Sequence, residues 1–247
     1  MPLGRTTAAA LPEGESAADS LRKVQQALAG GSPDELLVAA TALQHCSTMS
    51  RAPADLFAVR DQPDIVTPPV KKMLADMGSG MVTNDQIAFA QREQRRCQVF
   101  DAATMARRGE LYQRAYEGGA GGSAIAYLQW LRDPMEPQKN ADPALIASVL
   151  TAAHQAAQAG DPNALMAFAM SGSDGVIATT PTQRLAYRNA WVAIQEERFP
   201  GTSQGLVKVI DAVARMTPQP ALTAAQQRDA EALTQQVVVA WRRGRKS

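Results

Sequence analysis

Aromatic side chains are scarce in this chain: Phe, Trp and Tyr make up 5% of its 247 residues, although 45% are hydrophobic. A core must then come from Ala, Leu, Val and Met, a composition that favours closely packed helices over sheets. Charge of one sign is not in excess either. The 25 basic and 24 acidic side chains leave a net charge of +1, so no bulk attraction to nucleic acid or an anionic surface is expected. No apolar run approaches the roughly 20 residues that span a bilayer, and no transmembrane segment is expected. Histidine and cysteine are limited to His45, His154, Cys46 and Cys97. No Cys-x-x-Cys pair or zinc-type spacing occurs among them, so no metal or cofactor is expected.

What the chain does contain is helix punctuation. Ser32-Pro33, Asp142-Pro143, Asp161-Pro162 and Thr180-Pro181 each place a capping oxygen before a proline that fits the first helical position. An apolar run at helical spacing follows each. Gly30-Gly31 precedes the first pair and Gly160 the third, which is how one helix ends and the next begins in a helical hairpin. Capping-box spacings add Ser16 with Asp19, Ser32 with Glu35, Thr180 with Gln183 and Thr223 with Gln226.

Periodicity fills in the elements. Ala17, Leu21, Val24 and Leu28 form one stripe, and Leu36, Leu37, Ala40 and Leu43 the next. Residues 48–82 hold Pro53, Pro63, Pro68, Pro69, Gly78 and Gly80, which exclude a long helix; short turns near 54–60 and 70–77 are expected. Helix resumes at Thr83 or Asn84, with Ile87, Ala90, Gln94 and Cys97 on one face. Residues 103–117 carry Leu111, Tyr112, Ala115 and Tyr116, and end at a glycine run before Ser123, expected to cap a helix bearing Ile125, Leu128 and Leu131. Ile146, Val149, Leu150, Ala153 and Ala157 precede Gly160, and Leu165, Phe168 and Ala169 follow it. Tyr187, Trp191 and Ile194 mark a later helix, Leu206, Val209, Ile210 and Val213 another, and Ala230, Leu233, Val237 and Trp241 the last. No strand is expected.

Three turns are alike. Ala27-Leu-Ala-Gly-Gly-Ser-Pro, Ala156-Ala-Gln-Ala-Gly-Asp-Pro and Ala115-Tyr-Glu-Gly-Gly-Ala-Gly-Gly-Ser each close a helix on small residues and glycine before the next begins. Ala124 and Ala164 stand 40 residues apart, within the range of helical repeats. The phrase Ala157-x-x-Gly160-Asp161-Pro162-x-Ala164, with Arg114-Ala115-Tyr116-x-Gly118 before Ala124-x-Ala126-Tyr127-Leu128, resembles the Sel1-like branch of the tetratricopeptide class. The usual Gly-x-Gly-Val run of that branch is missing, and the repeats are not in uninterrupted tandem. The resemblance implies protein–protein binding, often in envelope or signalling adaptors, without catalysis.

Candidate sites are few. Cys46 and Cys97 read either as two buried thiols or as one disulfide, the second implying an oxidising compartment. Tyr112, Tyr116, Tyr127 and Trp130 lie within 19 positions and are candidates for a partner-binding face, since Tyr and Trp anchor interfaces. The glycine run 118–122 lacks the Lys-Ser/Thr of a phosphate loop and follows a helix. His45 and His154 have no sequence neighbour suited to catalysis. Glu196 and Glu197 offer carboxylates for general-acid chemistry. Arg242-Arg243-Gly244-Arg245-Lys246 is the densest charge run and complements the negative end of the last helix.

These features describe an all-α chain, an array of antiparallel helical hairpins forming a degenerate α-solenoid or a compact helical bundle. The expected organisation is a flexible tail (1–15), a single domain (16–243) interrupted by an irregular insertion (48–82), and a basic tail (244–247). The expected function is a non-enzymatic protein-interaction or scaffold module of the bacterial envelope or periplasm, with another protein as partner. The alternatives are a helical enzyme cleaving an envelope glycan with a Glu as general acid, and a cytoplasmic location. Residues 1–15 lack the apolar core of a signal peptide, and Ala8-Ala9-Ala10 resembles what remains near a cleavage site.

Overall fold

The computed structural model describes residues 16–62, 82–133, 142–170, 179–201, 205, 207 and 221–245. Among these residues every regular element is a helix and there is no strand. The expected turn at 70–77 and the stripe Leu206, Val209, Ile210 and Val213 lie outside the described residues. The chain clusters into two compact units, one ending at Ser123 and one beginning at Ala124.

The first unit contains α1 (Ala17–Gly30), α2 (Pro33–Met49), α3 (Ala52–Asp61), α4 (Asn84–Cys97), α5 (Ala102–Ala106) and α6 (Arg108–Glu117). Helix α2 is its hub and packs on α1, α3, α4 and α6. The sequence suits that position: Leu36, Ala39, Ala40, Ala42, Leu43 and Cys46 are all buried, and the four alanine and cysteine side chains among them bring neighbouring axes close. A full capping box starts α2. Ser32 Oγ accepts the Glu35 N–H, and the Glu35 carboxylate accepts the Ser32 N–H at 2.7 Å. Thr83 with Gln86 does the same for α4. Ser16 caps α1 through the Asp19 N–H, while the Asp19 carboxylate takes the Ser16 hydroxyl rather than its N–H, so this box is half made.

Two expectations shift. In α1 the buried row is Ser20, Val24 and Ala27, with Leu21 and Leu28 half-buried beside it. The helix expected over 103–117 is divided at Arg107, whose guanidinium is held by Glu110 three residues on (Nη2···Oε1 2.8 Å). Asp101 caps the first piece through the Thr104 N–H.

The second unit contains α7 (Ser123–Leu131, its first residue at the boundary), α8 (Pro143–Gln158), α9 (Pro162–Met170), α10 (Pro181–Arg198) and α11 (Ala224–Gly244). Helix α10 packs on α9 and α11, and α8 on α9 and α11. Val149, Ala153 and Ala157 form the buried row of α8; Phe168, Tyr187, Trp191, Ile194, Val237 and Trp241 fill the core around it. Ser123 is the first residue of α7 and does not cap it. Its hydroxyl donates backwards to the Ala120 carbonyl at 2.6 Å.

Of the three turns that look alike in sequence, the one after α8 and the looser one after α6 close alike in space, not the pair closest in sequence, after α1 and α8. After α6, Ala120 N–H donates to Ala115 and Gly119 N–H to Tyr116; after α8, Asp161 N–H donates to Ala156 and Gly160 N–H to Ala157. Each is a Schellman closure with glycine in the left-handed conformation, φ +77° at Gly119 and +89° at Gly160. The turn after α1 differs: Gly31 N–H makes a single bond to Ala27.

Candidate functional site

Cys46 lies in the buried row of α2 and Cys97 ends that of α4. Their sulfurs are at disulfide distance with Cα atoms 5.2 Å apart, and no cysteine among the described residues is free. The bond spans a sequence separation of 51. Closing a loop of that length removes about 4 kcal/mol of unfolded-chain entropy on the loop-closure relation.

Beside this bond lies a polar cluster from the same two helices. Glu93 is buried, and its carboxylate is bracketed: His45 Nε2 lies 3.0 Å from Oε2, and Arg96 Nη1 donates to Oε1 at 2.9 Å. One residue on, Gln94 Nε2 donates to the Ser50 carbonyl at the end of α2, 2.8 Å away. Residues 45, 46 and 50 of α2 and its end thus meet 93, 97 and 94 around α4. A carboxylate taken from water needs charged or donating partners on both oxygens. Here a guanidinium serves one and an imidazole the other, which makes the cluster a clamp between helices.

Sequence reasoning misses Glu93 because the apolar stripe of α4 points to Gln94. Its signal is the row Ile87, Ala90, Glu93, Cys97, combined with a cation three residues later at Arg96.

The aromatic candidates divide between the units. On α6, Tyr112 is buried and Tyr116 half-buried; on α7, Tyr127 is buried and Trp130 half-buried. Burial pushes the Tyr112 phenol up to about 12, against the opposing effects of a hydrogen bond with Thr41 and the nearby Arg108 charge. Tyr127 and Trp130 stack at 6.0 Å between centroids with planes 16° apart. Only Tyr116 and Trp130 present part of their rings outward, so Tyr112 and Tyr127 support any face from behind.

The remaining candidates are held in structural contacts. His154 stacks on Phe168 at 4.3 Å, with the Tyr187 hydroxyl 3.5 Å from its Nδ1. Burial raises the Tyr187 phenol above its ordinary value. In the glycine run, the N–H groups of Gly118, Gly119, Ala120 and Ser123 are spent on closing α6 and entering α7. Glu196 accepts the Gly201 N–H at 2.7 Å. Glu197 pairs with Arg242, whose hydrogen bond holds the carboxyl below its ordinary value, the opposite of what a general acid requires. Among the described residues no three His, Cys, Asp or Glu side chains are grouped to hold a metal, and no helix is long and apolar enough to cross a membrane. Comparison with protein-family models, with curated proteins and with solved structures finds no match to this chain.

Proposed function

We propose that this chain is a non-enzymatic interaction module built from degenerate helical hairpins, working in an oxidising compartment such as the bacterial envelope and binding another protein. The observation that carries the reading is the paired Schellman turn at 115–120 and 156–161. The same short closure recurs with small residues at the same places, as in repeat scaffolds whose role is to present helix surfaces. The disulfide between α2 and α4 supports the compartment. Tyr116 in the first unit and Trp130 in the second are each an aromatic anchor of its own unit's surface, each backed by a buried tyrosine of its own helix.

Site-specific photo-crosslinking in native cells tests this. A crosslinking residue at Tyr116 should capture a discrete partner that one at the exposed Gln113 of α6 does not, and one at Trp130 a discrete partner that one at the exposed Gln129 of α7 does not. Crosslinks no different from those at Gln113 and Gln129 would remove the proposed surfaces. Release of soluble sugar from purified envelope glycan by the intact protein would overturn the non-enzymatic reading.

A further inference from the structure

In the first unit the seam between α2 and α6 leaves an apolar row uncovered. A Cβ on Gly118 would meet Pro33, and the Thr41 and Tyr112 side chains are hydrogen-bonded, so the two helices run antiparallel with residues 33–41 alongside 118–112. Val38 lies one turn from Thr41 and Tyr116 one turn from Tyr112, each on the face that makes this contact. Val38 and Tyr116 therefore border the same side of the seam. Val38 is 53% exposed and Tyr116 is half-buried. The charges around this row are mostly of one sign. Asp34 and Glu35 stand in the first turn of α2 and Glu117 in the last turn of α6, all three exposed. Among the described residues none of these carboxylates is in an ion pair: Glu35 takes the Ser32 N–H and Glu117 the Gln113 amide. The last turn of α6 has one cation, Arg114, and it is already held, with Nη1 3.4 Å from both the Leu28 carbonyl and Glu110 Oε1. The last turn of α1 and the first turn of α2 have no cation. The helix ends do not offset the excess, since the negative poles of α1 and α6 meet one positive pole, that of α2.

A single exposed valine needs no explanation. Here the valine adjoins a half-buried tyrosine, and carboxylates rim the end of the seam they share. We propose that this seam receives a basic amphipathic segment of the partner protein, with an apolar side chain set between Val38 and Tyr116 and lysines or arginines over Asp34, Glu35 and Glu117. The proposal rests on the reading of Tyr116 as an interface anchor and names the chemistry that this anchor takes. Complementary charge around an apolar contact fixes the choice of partner and speeds the encounter. An acidic segment, a nucleic-acid strand or an anionic membrane would meet like charge at this end.

Fluorescence anisotropy with the full chain and two synthetic probes tests it: an amphipathic leucine–lysine peptide and a leucine–glutamate peptide of the same pattern. The leucine–lysine peptide should bind, more weakly as salt is raised, and the leucine–glutamate peptide should not. Asp34→Asn with Glu117→Gln should weaken binding about tenfold, at about threefold per carboxylate, and Val38→Ser should weaken it about tenfold. Asp55→Asn with Asp85→Asn, which removes two exposed carboxylates from α3 and α4, should leave it unchanged. Circular dichroism verifies that each variant is folded. Equal binding of the two peptides, or unchanged binding by the folded variants at Asp34 with Glu117 and at Val38, would overturn the proposal. So would self-association of the chain in sedimentation velocity that Val38→Ser abolishes, because the occupant would then be a second copy. In native cells a crosslinking residue at Val38 should capture the partner captured at Tyr116. Capture at Tyr116 without capture at Val38 would overturn this proposal alone; capture at neither would overturn the reading of Tyr116 and the proposal with it.

Discussion

Replacing Gly160 by alanine separates two demands that meet at one residue. The Schellman turn holds Gly160 at φ +89°, where an L side chain costs about 1–2 kcal/mol. The added Cβ would also lie against Trp241, 3.0 Å from its Cα and 3.2 Å from its backbone nitrogen. Because the obstacle includes backbone, α11 itself must move, at an overpacking cost of about 1–3 kcal/mol. Together Gly160→Ala should destabilise by about 2–5 kcal/mol, or lower the Tm by about 5–15 °C for a chain of this size. Two controls isolate the contributions. Gly119 occupies the same turn position at φ +77° with nothing within 4 Å of a Cβ, so Gly119→Ala carries the conformational part alone. Gly118 has φ −80°, but its Cβ would fall 2.5 Å from Pro33 Cγ, so Gly118→Ala carries a clash with a side-chain ring and no dihedral strain. Urea denaturation of the three variants gives the free energies. If Gly160→Ala costs no more than Gly119→Ala, the close approach of α8 to Trp241 is refuted.

Reduction, or Cys46→Ser with Cys97→Ser, should lower stability by about 4 kcal/mol, read as the shift in urea midpoint with and without dithiothreitol. Glu93→Gln should cost about 2–4 kcal/mol, because Arg96 and His45 then face a neutral group in a mostly buried setting; a surface-like loss below about 0.5 kcal/mol would refute the clamp. The Ser32 N–H and hydroxyl hold the Glu35 carboxyl below its ordinary value. Its contribution is therefore complete above the unfolded carboxylate range and lost as pH falls through the lowered folded value. Glu35→Gln keeps a residue able to close the capping box but does not titrate, so it should flatten the acid limb of the Tm–pH curve.

The local grammar of the fold is legible in the sequence because its causes are local. Ser32, Thr180 and Thr223 cap the helices that their Glu or Gln partners announce. The rows Leu36/Leu43, Val149/Ala153/Ala157 and Tyr187/Trp191/Ile194 are buried as periodicity requires. Val237-Val238-Val239 stays helical despite its β-branched side chains, since α11 packs along α10 and overrides propensity. What escapes the sequence depends on partners distant along the chain. Burial of Glu93 is set by His45, 48 positions away, and a periodicity reading assigns a carboxylate to solvent. The break at Arg107 has no proline to announce it, and Gly109 two residues on lies buried inside α6. Ser20 replaces Leu21 at the centre of the α1 face because its hydroxyl donates to the Ser16 carbonyl and satisfies itself inside the helix. For the candidate face, sequence names the aromatic residues but not their exposure: Tyr112 and Tyr127 turn inward and Tyr116 and Trp130 remain partly out.

Protein binding through the half-buried aromatics is the central claim, and quantitative recovery of partners tests it most directly. Tagged wild type, Tyr116→Ser and Trp130→Ser, each shown to be folded by its urea midpoint, would be isolated from native cells and the accompanying proteins compared by isotope labelling. Losing an anchor of this kind costs about 2 kcal/mol or more, so each variant should lose a specific partner about 30-fold or more while background proteins stay level. Equal recovery of every accompanying protein by wild type and both folded variants would contradict the claim.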